Sequence, residues 1–113
     1  MRAAYLLRLS WGAALLARPG AVLAAAGVPA DPTLTAVARV LGARHLLQAV
    51  VAGPGAPLVL RRAGAAVDVL HVGTCVAAAV ALPARRRAAA ADGIVETVLA
   101  ATAVAAAGRA GRT

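Results

Sequence analysis

Few side chains in this sequence can do chemistry, and most of them fall in three short runs. Arg44, His45 and Gln48 make the first, Asp68, His71 and Cys75 the second, and Asp92 and Glu96 the third. Separations of three, four and seven residues bring the members of each run onto one side of a helix. Asp68, His71 and Cys75 are metal-capable, and His45 would have to join them from a neighbouring helix. There is no CxxC, no HExxH and only two His in the chain. The expectation is therefore no metal, no cofactor, and a packed polar stripe with a buried thiol. Catalytic sets are also missing. Ser10 is the single serine and has no Asp or His beside it in a nucleophile-elbow context. Gly53-Pro54-Gly55 is a proline-broken turn, with no strand before it and no Lys after it to make a phosphate-cradling loop. These residues describe a protein that is not an enzyme.

The elements that carry these runs are unusually apolar. Of 113 residues, 62% are hydrophobic, 14% charged and 2% aromatic, whereas an ordinary soluble domain carries about 25% charged residues. That is too little polar material to cover a soluble monomer of this size. It is also too much Val and Leu for a disordered chain. The net charge is +8, with every cation an Arg. The arginines are scattered singly among apolar stretches, and Tyr5 and Trp11 are the only aromatic residues available to stack bases. A nucleic-acid partner is not expected. With Cys75 alone, no internal disulfide can form.

Proline, glycine and charge divide the chain into four apolar segments, at about 3–17, 33–52, 58–82 and 84–108. Their Ala and Leu content favours helix, and none shows strand alternation. The last three have the length that a bilayer's hydrocarbon core demands of a helix. The expectation is an all-α, multi-pass membrane bundle of about four helices, forming one domain over 1–113. The first helix has three readings: it spans, it lies in the interface with Arg8 and Arg18 snorkelling to headgroups, or it is a cleaved signal. Arg85, Arg86 and Arg87 follow Pro83 and are expected to contact lipid headgroups. Loop charge leaves orientation open: with a cytoplasmic start, Arg2, Arg61, Arg62, Arg109 and Arg112 oppose Arg18 and the Arg85–Arg87 cluster.

Insertion carries a cost. In the second segment Leu34, Val37, Val40, Leu41, Leu46, Leu47, Val50 and Val51 together contribute about −2 to −5 kcal/mol, against about +5 to +7 for Arg39 and Arg44 at its centre. Alone, it inserts poorly. The charges must therefore find partners on other helices. At 100° per residue, Arg44, His45 and Gln48 share an arc on the second segment with Leu41. Arg61, Gly64, Asp68, His71, Cys75 and Ala78 line one face of the third, and Arg85, Asp92, Glu96 and Ala103 one face of the fourth. The pairing expected from this is Arg44, with His45 and Gln48, against Asp68, while Asp92 and Glu96 take Arg8 or Arg39.

The run Ala38-Arg39-Val40-Leu41-Gly42-Ala43-Arg44-His45-Leu46-Leu47-Gln48-Ala49, followed by Arg62-Ala63-Gly64-Ala65-Ala66-Val67-Asp68-Val69-Leu70-His71, resembles small four-helix integral membrane proteins of high-GC bacteria, a domain-of-unknown-function group. The resemblance implies a fold and a location in the bacterial inner membrane, and no activity. It fits a structural or accessory membrane subunit that associates, as a homo-oligomer or with a membrane-protein partner, through polar, small-residue helix faces. A small transporter or proton conduit using Asp68, His71, Glu96 and Arg44 is the rival reading. An Ala-rich soluble bundle is the third.

Overall fold

A computed structural model describes residues 2–29 and 31–111. Arg112, one of the arginines weighed for orientation, and Ala30 lie outside the described residues. The fold is all-α, 88% helical, with no strand among the described residues. Its helices are α1 (Arg2–Ala17), α2 (Pro19–Ala25), α3 (Pro32–Val51), α4 (Leu58–Ala81) and α5 (Arg86–Gly111), with a 3₁₀ turn at Pro83–Arg85 before α5.

The stops between helices act where the sequence places them. Pro19 starts α2 at its first position, and Gly27 closes it at φ 72°, in the left-handed region open to glycine. α3 begins at an N-cap: Asp31 Oδ1 accepts from the Leu34 backbone N–H at 2.8 Å, with Pro32 next in line. The Pro- and Gly-rich stretch at 53–57 breaks the chain between α3 and α4, and Pro83 tightens the turn into α5. The short piece after Arg18 is helical, which the segment reading left unassigned.

Three segments, Pro32–Val51, Leu58–Ala81 and Pro83–Arg109, are long and apolar enough to cross a membrane. α1 has 16 residues, about 24 Å of helix against a hydrocarbon core of roughly 30 Å. It does not lie apart from the bundle. α1 packs antiparallel along α3, and α4 antiparallel along α5. Glycines set the first of these contacts: a Cβ built on Gly42 would stand 2.7 Å from both the Gly12 carbonyl oxygen and the Leu16 nitrogen. The two backbones touch there. Cross-links from side chains join this pair of helices to the α4/α5 pair.

Many large apolar side chains lie on the outside, while several ionic groups lie within. The buried apolar positions are largely alanine, with Leu15, Leu23, Val28 and Leu99 the larger exceptions. Val40, Leu47, Val50, Leu70, Val80 and Ile94 point outward, each more than half exposed. Arg8, His45, Asp68, Asp92 and Glu96 are buried.

Candidate functional site

Every one of those buried ionisable groups lies on the seam between the two helix pairs. The donors come from α1 and α3: Arg8, Trp11, Arg44, His45 and Gln48. The acceptors come from α4 and α5: Asp68, Asp92 and Glu96. The seam is thus a charge-complementary face, positive on one pair and negative on the other.

Asp68, fully buried, anchors one end. Arg8 grips it with both terminal nitrogens, Nη1 to Oδ1 at 3.1 Å and Nη2 to Oδ2 at 2.5 Å. This is the fork geometry that makes Arg–carboxylate pairs strong. Gln48 Nε2 donates to Asp68 Oδ1 at 2.8 Å and to the Gly64 carbonyl at 3.0 Å, while its Oε1 accepts from Arg44 Nη1 at 3.1 Å. A Cβ on Gly64 would crowd the same amide nitrogen at 3.2 Å. Glycine at 64 therefore leaves the room in which the Gln48 amide sits.

Glu96 holds the middle. Arg44 Nη2 and His45 Nε2 stand 3.0 and 3.3 Å from its Oε2. Both contacts are at ion-pair distance but off the angle of a hydrogen bond, and Oε1 is buried with no hydrogen-bond partner. Arg8 Nη1 also lies 3.4 Å from His45 Nδ1, which ties the middle layer to the first.

Asp92 anchors the other end. Trp11 Nε1 donates to its Oδ1 at 3.0 Å, and His71 Nε2 lies 2.5 Å from Oδ2. Cys75 Sγ sits 3.6 Å from the same Oδ2 and 3.5 Å from His71 Nε2.

Two clefts open on this row from opposite ends of the bundle. One, of about 80 Å³, lies between the N-terminal parts of α1 and α4 and the C-terminal parts of α3 and α5, and reaches Arg8, Gln48 and Asp68. The other, of about 400 Å³, lies at the far end among α1, α2, α3, α4 and α5. Its walls are apolar, including Leu15, Leu23, Leu34 and Leu41, and its polar floor is Trp11, His71, Cys75 and Asp92. The Arg44–His45–Glu96 layer stands between them.

The chain matches no family model, no curated protein and no solved structure.

The seven residues expected to form the polar network, Arg44, His45, Gln48, Asp68, His71, Asp92 and Glu96, all lie in it. Their pairing agrees with the expectation in part: Gln48 donates to Asp68 and Arg44 stands at ion-pair distance from it. Arg44 is 3.7 Å from Asp68 and gives its other nitrogen to Glu96, while the forked partner of Asp68 is Arg8. Arg8 thus turns inward rather than snorkelling, because the Gly12–Gly42 contact draws its turn of α1 against α3. Asp92 is served by Trp11 and His71 instead of Arg8 or Arg39. Arg39 is exposed on α3 and forms no ion pair among the described residues. The metal-capable trio also regroups. Asp68 and His45 are taken up elsewhere, and Asp92 joins His71 and Cys75.

Of the arginines assigned to headgroups, Arg86 and Arg87 are exposed at the start of α5. Arg86 Nε donates to the Ala79 carbonyl at 2.8 Å, satisfying a carbonyl in the last turn of α4. Arg85 bridges to Asp31 Oδ2 at 3.0 Å and so ties the α5 turn to the N-cap of α3. Sequence reasoning missed Trp11 and gave Arg8 to Asp92 or Glu96 rather than to Asp68. Gly12, one turn beyond Arg8, was the available signal, since a glycine inside an apolar helix marks a close helix contact.

Proposed function

We propose that this is a multi-pass integral protein of the bacterial inner membrane, with the lipid bilayer as its first partner and an accessory, non-catalytic role. One observation carries the reading: the large apolar side chains face out while the ionic groups face one another across the seam. Lipid accepts the outer surface, and in a low-dielectric bundle the seam holds the helices in one register. The resemblance of the run around Arg44, His45 and Asp68 to small four-helix membrane proteins of high-GC bacteria supports the same location.

Association with another copy or with a membrane-protein partner then falls to the outer faces, because the polar faces are occupied within the chain. On α4, Gly73 and Ala77 are exposed four residues apart, with open space before Gly73, so a second helix has room to approach closely there. Fractionation with an alkaline carbonate wash tests the location. The chain stays in the membrane pellet if the reading holds, and a monomer that stays in plain buffer without detergent overturns it.

The two clefts favour a second reading, a proton or ion conduit. They meet one row of titratable groups, Asp68, Glu96, His45, Asp92 and His71, from opposite ends. Proteoliposome flux separates the readings. Flux that Asp68→Asn or Glu96→Gln abolishes supports the conduit, whereas no flux together with a stable co-purifying partner supports the accessory role.

A further inference from the structure

We infer that His71, Cys75 and Asp92 form a binding site for one zinc-class divalent cation, open to the larger cleft. His71 and Cys75 are four residues apart on α4, so both side chains project from one face, and Asp92 reaches them from α5. Their ligand atoms, Nε2, Sγ and Oδ2, all lie within 4.8 Å of one another.

The spacing fits tetrahedral zinc. Bonds of about 2.3 Å to sulfur and about 2.0–2.1 Å to nitrogen or oxygen put sulfur about 3.6 Å from the other two ligands and those two about 3.4 Å apart. Sulfur already stands 3.5 Å from His71 Nε2 and 3.6 Å from Asp92 Oδ2. Only the His71–Asp92 edge, at 2.5 Å, must open, by about 0.9 Å on the same bond lengths. A rotation about χ2 of Asp92 provides that, since this torsion is broad.

The surroundings hold the ligands for such a site. Trp11 Nε1 binds Asp92 Oδ1 at 3.0 Å, which leaves Oδ2 for the cation. Thr74 Oγ1 donates its hydrogen to the His71 carbonyl at 2.7 Å and keeps a lone pair 3.4 Å from His71 Nδ1. In the metal-free chain Nε2 carries the hydrogen that Asp92 Oδ2 accepts at 2.5 Å; on metal binding that proton shifts to Nδ1, where Thr74 Oγ1 at 3.4 Å can accept it, and Nε2 is left free to bind the cation. Supporting hydrogen bonds of this kind orient metal ligands.

Charge selects the ion. A thiolate and a carboxylate neutralise one divalent cation, leaving a site with no net charge among apolar helices, where an unbalanced charge is costly. The thiolate selects zinc-class ions over magnesium or calcium, which prefer oxygen ligands. On binding, the Cys75 S–H bond breaks, its electron pair forms the sulfur–metal bond, and the proton leaves to water in the cleft. Three protein ligands then leave a fourth position facing the 400 Å³ cleft, the pattern of zinc sites that bind a water or a small ligand.

The full chain, tag-free, purified in detergent and stripped with chelator, is titrated with Co²⁺ and then Zn²⁺. One equivalent of Co²⁺ should give a thiolate-to-cobalt charge-transfer band, and one equivalent of Zn²⁺ should abolish it. Cys75→Ala, with helical circular dichroism and elution unchanged, should lose the band. Trp11→Phe should keep all three ligands and weaken binding roughly 10- to 100-fold. No band in the wild-type chain, or a band that survives in Cys75→Ala, overturns the site.

Discussion

Replacing Leu70 by Asp separates a lipid-facing helix from a water-facing one with a single atom-scale change. Leu70 lies at mid-length on α4 and is 70% exposed. If that face meets lipid, the substitution exchanges about −0.3 to −0.6 kcal/mol for about +2.5 to +3.5 kcal/mol at the helix centre, a loss of about 3 to 4 kcal/mol. That corresponds to roughly a hundred- to a thousand-fold against insertion. If the face meets water, an exposed substitution of this kind falls within about ±0.5 kcal/mol. The two surroundings therefore differ by several kcal/mol at one residue. Asp68, two residues earlier at nearly the same depth, shows that a carboxylate is tolerated when it points inward to Arg8 and Gln48. The assay is accumulation of Leu70→Asp in the carbonate-resistant membrane fraction, with Leu70→Ala as the control. Strong loss of the Asp variant is expected. Accumulation at the wild-type level would refute the assignment of this face to lipid.

Further substitutions test the seam and the glycine contact against exposed controls. Asp68→Asn leaves Arg8 buried beside a neutral partner and should cost about 3–5 kcal/mol. Asp31→Asn keeps a good N-cap, loses only the partly exposed pair with Arg85, and should cost less than about 1 kcal/mol; detergent unfolding followed by Trp11 fluorescence compares the two. Exchanging charges between Arg8 and Asp68 should restore more membrane accumulation than exchanging them between Arg44 and Asp68, because only Arg8 makes the forked contact. Gly42→Ala places a Cβ 2.7 Å from backbone atoms of α1 and should destabilise by about 1–3 kcal/mol. Gly73→Ala meets open space and should be neutral or slightly stabilising in thermal denaturation.

The spans of α3, α4 and α5 agree with the segment boundaries to within about a turn, and so does the side on which each keeps its polar groups. Both are local properties. Proline and glycine interrupt helices wherever they stand, and 100° per residue fixes the angular position of a side chain on its own helix. Composition carried the membrane reading in the same way, since a scarcity of polar side chains needs no partner to be counted.

Pairing is different. Periodicity says that Asp68 faces inward but not which cation waits there, and Arg8, Arg39 and Arg44 were all in question. The Gly12–Gly42 contact decided it by bringing α1 backbone to backbone with α3, which set the Arg8 guanidinium against Asp68 and left Arg44 to reach Glu96. The same packing set Trp11 on Asp92 and moved that carboxylate to His71 and Cys75. Which residues turn inward is written along each helix. Which of them meet depends on how closely two backbones approach and on the antiparallel offset between helices, distances that exist only once the bundle has assembled.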